Sequence, residues 1–189
     1  MNTISDRIMV VRMDTKEGYW TVLTVYAPQS GCSETEKDEF YLTLDEAIRS
    51  VPEEDYLTIA GDLNGHVGKD RMGLERVHGG QGIGTKNAEG GRILDLAAAH
   101  DLAICSTFFA KRRTQKVTYS SGGRQTEIDH VLVIRSSLKT VKDIGTAWGR
   151  AGPSAQAFPG RHRHRPSQED EGESRAENSV VENGQGRKG

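Results

Sequence analysis

The chain has 189 residues, of which 34% are hydrophobic and 22 are glycine, and its net charge is −2. This composition predicts one domain of ordinary size with long loops, or a domain followed by a tail. No apolar run approaches the roughly 20 residues of a membrane span, and the first residues lack the apolar stretch of a signal peptide. These features favour an intracellular, non-secreted protein, for which the nucleus is one location. The net charge of −2 gives no global attraction to nucleic acid.

The first sixty residues predict a hairpin followed by a strand–helix–strand unit. Two β-favouring runs at 8–12 and 19–26 are separated by the polar connection 14–18. Ser33 and Glu36 make a capping box ahead of an amphipathic helix that ends near Ser50. The apolar run 57–60 then predicts a buried strand. This order of elements is typical of the α/β class.

Polar residues that could do chemistry follow this strand directly. Gly61 ends it, and Asp62 and Asn64 come next. If the extended path continues for two residues, their side chains project to the same face, at the strand's carboxyl end, where open α/β sheets bind ligands. Asp62 could serve as a base or as a ligand of Mg²⁺, and Asn64 could bind a phosphate oxygen and a water. The alternative is an ordinary polar turn.

Ten glycines between residues 61 and 91 predict a long loop, which is either functional or a flexible insertion. A short helix is expected at 92–100, a strand at 102–108, and a hairpin that pairs 117–119 with 127–134. Basic residues precede that hairpin and could contact a DNA backbone, or form a solvated turn. They are Lys111, Arg112, Arg113 and Lys116. Cys32 and Cys105 match no metal-ligand spacing, which indicates buried or loop thiols.

The composition changes at the end of the predicted hairpin region. From residue 147 to the last residue there is no Leu, Ile or Met. Such a segment buries too little apolar surface to offset the entropy of ordering. We therefore expect a domain at 1–145 and a disordered tail at 146–189, in which the basic run 161–165 is more consistent with a solvated cluster than with a phosphate site.

Four segments in this order resemble the endonuclease/exonuclease/phosphatase superfamily. They are Thr24-Val25-Tyr26-Ala27-Pro28, Gly61-Asp62-Leu63-Asn64, Val117-Thr118-Tyr119-Ser120 and Glu127-Ile128-Asp129-His130. Within the superfamily, 61–68 and 87–109 are similar to the endonuclease domain of LINE-type retrotransposons and to craniofacial development protein 2-like sequences. The resemblance covers roughly residues 5–145, the C-terminal part of the domain. It implies a partial four-layer α/β sandwich and Mg²⁺- or Mn²⁺-dependent phosphodiester hydrolysis, with DNA as the expected partner.

The resemblance also implies roles for individual residues. Tyr26 would lie near the scissile phosphate, Asp62 would orient or deprotonate the water, and Asn64 would hold phosphate, with Asp62 and Asn64 next to the metal. Asp129 would support the catalytic histidine or the metal. His130 occupies a position that is usually aromatic in the family, so a structural role is expected for it.

Two features of the family pattern have no match in this sequence. These are the early Asn and metal-binding Glu, and the closing Asp-His pair. The resemblance therefore implies weakened metal binding, little or no nuclease activity in this isolated chain, and an uncovered apolar sheet face. Two alternatives stay open: a non-catalytic remnant or binding fragment, and a phosphatase or phosphodiesterase for small phosphorylated molecules.

Overall fold

A computed structural model describes residues 2–121 and 124–146. The predicted tail, from residue 147 onward, lies outside the described residues. The strands in chain order are β1 Asn2–Ser5, β2 Ile8–Thr15, β3 Gly18–Tyr26, β4 Tyr56–Asp62, β5 Leu102–Ile104, β6 Tyr119–Ser121, β7 Arg124–Thr126 and β8 Asp129–Ile134. The helices are α1 Glu34–Arg49 and α2 Ala88–Ala99, and short 3₁₀ turns lie at Cys105–Phe108, Arg113–Gln115 and Arg135–Thr140.

Six of these strands form one mixed sheet in the order β1-β2-β3-β4-β8-β5. Strands β3 and β4 are parallel and are connected through α1, whereas β8 runs antiparallel to both β4 and β5. Strands β6 and β7 form a separate hairpin. The predicted α/β fold with a multi-stranded sheet is therefore confirmed.

Both helices pack on one face of this sheet. Alternate residues of β3 and β4, such as Leu23 and Ile59, are fully buried and belong to the same apolar cluster as Leu44 of α1 and Ile93 of α2. The start of α1 follows the predicted capping box, because the Ser33 hydroxyl accepts from the Glu36 amide and the Glu36 carboxylate accepts from the Ser33 amide. Local sequence signals thus determine where α1 begins and which face it buries.

The opposite face of the sheet is only partly covered. At one end, Val133 and Cys105 pack with Leu138 and Ile144, which follow β8. Further along, Trp20 of β3 stacks on Tyr56 of β4 with ring centroids 5.1 Å apart, and both rings stay half-buried. These two aromatic rings are thus partly exposed on this face; that a whole apolar face is uncovered stays a prediction.

Two predicted elements were wrong in extent or pairing. The strand expected at 102–108 ends at Ile104, where the Thr107 hydroxyl donates to the Ile104 carbonyl and closes a 3₁₀ turn. The expected pairing of 117–119 with 127–134 does not form, because β6 pairs with β7 and β8 joins the large sheet. The Thr118 hydroxyl accepts from the amides of Ile128 and Asp129 and holds the chain where it leaves the hairpin.

Strand β1 was not predicted, and α2 begins at Ala88 rather than at residue 92. Asn87 caps α2, since its Oδ1 accepts from the Gly90 amide at 2.8 Å. Neither α1 nor α2, nor any other helix among the described residues, has the length and hydrophobicity to cross a bilayer.

Candidate functional site

Three of the predicted site residues lie side by side at one end of the large sheet. Tyr26 is the register partner of Asp62 across the parallel β3–β4 pair, and Asp62 is the register partner of Asp129 across the antiparallel β4–β8 pair. Register partners on adjacent strands direct their side chains to the same face, and across the antiparallel β4–β8 pair the Cβ atoms lie about 4.5–5.5 Å apart. The fold therefore brings together a phenol and two carboxylates that lie far apart in the sequence.

Asp62 is held firmly at the centre of this row. Its side chain is almost buried, its carbonyl accepts from the Ala27 amide at 2.8 Å, and its Oδ1 accepts from the Asn64 amide at 3.0 Å. Tyr26 is 39% exposed, with the Arg7 guanidinium 5.8 Å from its ring centroid and the Gln29 side-chain amide donating to its hydroxyl at 3.4 Å. Asp129 is exposed. The row thus has a fixed acid at its centre and two accessible neighbours.

Asn64 does not continue the strand. Its φ is +49°, in the left-handed region that Asn tolerates better than most residues, so the expectation of an extended path from Asp62 to Asn64 was wrong. The Asn64 Nδ2 donates to the Ala27 carbonyl at 2.7 Å. The amide nitrogen is therefore used to hold the loop against the end of β3, and Oδ1 is the side-chain atom suited to a metal ion.

The loop that follows Asp62 is anchored by buried groups. His130 is 2% exposed, and its Nε2 lies 2.9 Å from the Gly65 carbonyl, while the Leu63 amide donates to the Ile128 carbonyl at 2.9 Å. Burial lowers the pKa of His130, which keeps the ring neutral. His130 thus has the structural role that was expected.

Asn87 is a further anchor of this loop that the sequence reasoning missed. Its Oδ1 accepts from the His66 amide at 2.8 Å as well as from the first turn of α2. The signal was present, because Asn is a favoured N-cap and Glu89 follows in the first turn. The same side chain therefore joins the loop after Asp62 to α2.

The carboxylates of the row are oxygen ligands of the kind that Mg²⁺ prefers. Asp62 and Asp129 are carboxylates directly opposite each other, an arrangement that is destabilising unless positive charge lies close by. Mg²⁺ is often held by one or two carboxylates together with substrate phosphates. However, the described residues contain no group of three or more His, Cys, Asp or Glu placed to hold a metal ion. The donor set present is thus compatible with Mg²⁺ but small.

The predicted basic cluster is divided by the fold. Lys111 forms an ion pair with Asp143, and the exposed Arg113 donates to the Gln125 carbonyl at 2.9 Å. Arg112 is also exposed. Lys116, in contrast, is only 5% exposed, so the expectation that it contacts a DNA backbone was wrong. Arg112 and Arg113 are thus the residues of this cluster that are exposed at the surface.

The described residues form an α/β domain with its candidate site at the end of β3, β4 and β8. The chain is similar to craniofacial development protein 2 of Bos taurus, with 31% identity over 146 residues, which cover 75% of this chain and 24% of the relative. Craniofacial development protein 2 of Tragulus javanicus is 30% identical over 146 residues, which cover 75% of this chain and 25% of that relative. The resemblance predicted from the motifs is therefore confirmed.

The chain spans about a quarter of the length of these curated relatives. Among solved structures, the endonuclease domain of TRAS1, a telomere-specific non-LTR retrotransposon, aligns with a TM-score of 0.48 and 17% identity, over 70% of this chain and 52% of that chain. No family model matches the sequence.

Proposed function

We propose that this domain contributes part of a Mg²⁺-dependent phosphodiester-cleaving site of the DNA endonuclease type. The observation that supports the proposal is the row of Tyr26, Asp62 and Asp129 on three adjacent strands. In addition, the backbone amide of Asn64 donates to the Asp62 carboxylate. Phosphodiester hydrolysis needs an activated water and positive charge near the developing oxyanion. The row supplies a carboxylate that can activate the water, and oxygen ligands that can hold a cation near the oxyanion.

Each residue of the row has a role that suits its surroundings. Asp62, whose carboxylate is held by the backbone amide of Asn64, would accept the proton of the attacking water. The hydroxyl of Tyr26, a partly exposed residue, would donate to a phosphate oxygen, and the exposed Asp129 would share a cation with Asp62. A bound Mg²⁺ would supply positive charge to the phosphate oxygens.

DNA is the substrate that the surroundings of the site favour. A shallow groove of about 380 Å³ lies between the loop at 83–85 and the β6–β7 hairpin. Its lining includes Arg113, together with His66 of the loop after Asp62 and one acid, Glu127. Arg113 is exposed and the exposed Arg112 lies directly before it, so two guanidinium groups are available to contact the phosphates of a polynucleotide.

We expect the isolated chain to turn over slowly or not at all. Among the described residues, no third acidic or histidine side chain joins Asp62 and Asp129 in a metal-binding group. Loss of one group that stabilises charge in the transition state often costs about 10²–10³ in rate. The same observation favours a second candidate, a binding module that has the fold without the chemistry.

The test is a plasmid-nicking assay of the purified chain with Mg²⁺ and with chelator, combined with a Mg²⁺ titration followed by NMR. Asp62→Ala is the site variant, and Asp95→Ala, an exposed acid on α2, is the matched control. Mg²⁺-induced shifts at Asp62 and Asp129 that vanish only in Asp62→Ala support the partial site. Absence of any Mg²⁺ response would favour the binding module, and strong nicking abolished only by Asp62→Ala would show that the site is sufficient.

A further inference from the structure

The row of Tyr26, Asp62 and Asp129 has an arginine beside it, on the β2 side of Tyr26. Arg7 lies in the turn between β1 and β2, and its guanidinium carbon is 5.8 Å from the centroid of the Tyr26 ring. A guanidinium within about 6 Å of an aromatic ring is attracted to the face of that ring. The roles proposed for the row make no use of Arg7.

The backbone also fixes Arg7 next to Tyr26. The Tyr26 amide donates to the Arg7 carbonyl at 3.0 Å, and the Arg7 amide donates to the Ser5 hydroxyl at 3.3 Å. Just before this turn, the register of β1 on β2 shifts between Thr3 and Ser5. Such irregularities bend a strand and redirect side chains, and they are common beside active sites. Arg7 is therefore held near Tyr26 by the backbone as well as by its side chain.

The guanidinium of Arg7 is available to a ligand. Within the described ranges it donates no hydrogen bond to the protein and forms no ion pair, and the residue is only half-buried. Other arginines of the domain differ in this respect. Arg12, Arg76 and Arg92 each donate to carboxylates through two side-chain nitrogens. The N–H groups of Arg7 are thus not occupied by the fold.

The position of Arg7 complements the charges of the row. Asp62 and Asp129 lie on β4 and β8, whereas Arg7 precedes β2, on the other side of Tyr26. Since neighbouring strands are about 4.8 Å apart, two strand spacings place Arg7 about 10 Å from the strand of Asp62. A phosphate at Tyr26 would therefore have a cation on one side and the carboxylates on the other. A guanidinium suits this position, because its forked N–H groups match two phosphate oxygens.

We propose that Arg7 binds the substrate phosphate on the Tyr26 side of the row, through two N–H groups of its guanidinium. The inference rests on the proposed function and adds a phosphate-binding residue to it. Arg7 would hold the non-bridging oxygens of a backbone phosphodiester, and the Tyr26 hydroxyl would donate to the same group. Arginine keeps its charge at any pH at which the protein is folded, so this contact does not need Mg²⁺. Part of the binding of DNA should therefore persist when Mg²⁺ is removed.

Binding of single-stranded hexathymidylate to the full chain tests the proposal, followed by amide NMR at low salt in the presence of a chelator. We expect saturable shifts at the amides of Arg7, Tyr26 and Ala27. Arg7→Gln should weaken binding about tenfold, because charge-assisted hydrogen bonds are lost. It should also reduce the slope of log affinity against log salt concentration by about 0.7, the value for one phosphate contact with a single strand.

Lys16→Gln is the matched control, since it removes the same charge from an exposed residue in the turn between β2 and β3, at the opposite end of the sheet. It should bind hexathymidylate as the wild type does at the Tyr26 amide. Arg7→Lys is the second variant if Arg7→Gln does not fold. It keeps the charge but not the fork, and we expect severalfold weaker binding.

The proposal is overturned if folded Arg7→Gln binds as tightly as Lys16→Gln, or if Arg7→Lys binds as tightly as the wild type. It is also overturned if hexathymidylate shifts neither the Arg7 nor the Tyr26 amide of the wild type. A Mg²⁺ response at Asp62 together with any of these results would leave the proposed site standing without Arg7. Conversely, weaker binding by Arg7→Gln in a chain without a Mg²⁺ response would support the role of Arg7 and contradict the metal site alone.

Discussion

Gly61 directly precedes Asp62 at the end of β4, so its substitution tests how the fold positions the site. Its φ is +151°, a backbone conformation that residues with a side chain rarely adopt. A Cβ added there would lie 1.9 Å from the carbonyl oxygen of Val25 on the neighbouring strand β3. The contact is with backbone, so no rotation of a side chain can relieve it. Gly61→Ala must therefore either separate β3 from β4 or shift Asp62.

The size of the effect follows from these two contributions. A residue forced into a sparsely populated backbone region costs about 1–3 kcal/mol. Overpacking in a tight interior adds about 1–3 kcal/mol more. We therefore expect Gly61→Ala to lower the free energy of unfolding by about 2–6 kcal/mol, a large part of the roughly 5–15 kcal/mol of a typical domain.

Urea denaturation of the wild type and two glycine variants measures this difference. Gly91→Ala is the control, because Gly91 lies inside α2 and a Cβ there would meet nothing within 4 Å. Alanine in a helix interior is favoured over glycine by about 0.5–1 kcal/mol, so this variant should be more stable than the wild type. Equal stability of Gly61→Ala and wild type would refute the reasoning, as would a change of the same sign in both variants.

Other outcomes follow from the anchors of the loop. Asn87→Ala should lower the unfolding free energy by about 2 kcal/mol, because Asn87 both caps α2 and accepts from the His66 amide. Ser33→Ala, at the exposed cap of α1, should cost less. Equal losses in the two variants would show that the loop contact adds nothing. Burial lowers the pKa of His78 and His130 from the ordinary 6.5, so the unfolded chain binds protons more readily than the folded one. Stability should thus be full above about pH 7 and fall as the pH drops below 6.5 through the lowered pKa values, which urea midpoints at several pH values will show. His78→Gln should flatten this dependence, and an unchanged slope would contradict the assignment.

The elements with strong local signals were predictable. The capping box at Ser33, the hairpin of β2 and β3, and the apolar run that becomes β4 each follow from neighbouring residues in the chain. Elements whose structure depends on contacts with distant residues were not predictable from the sequence. The segment after Ile104 has the composition of a strand, yet it turns, because Thr107 bonds back to the Ile104 carbonyl and the Gly79 amide donates to Thr107.

The candidate site shows the same division. The strand pattern predicted Asp62 and Asn64 as site residues, and the family resemblance implied Tyr26 and Asp129; their roles stay predictions. Sheet pairing decided that Tyr26, Asp62 and Asp129 are neighbours, and the fold decided that the Asn64 Nδ2 donates to the Ala27 carbonyl from a left-handed turn. The burial of Lys116, which the sequence grouped with surface basic residues, also depends on the tertiary structure. Local structure depends on residues that are consecutive in the chain, whereas strand register and burial arise only when distant segments pack together.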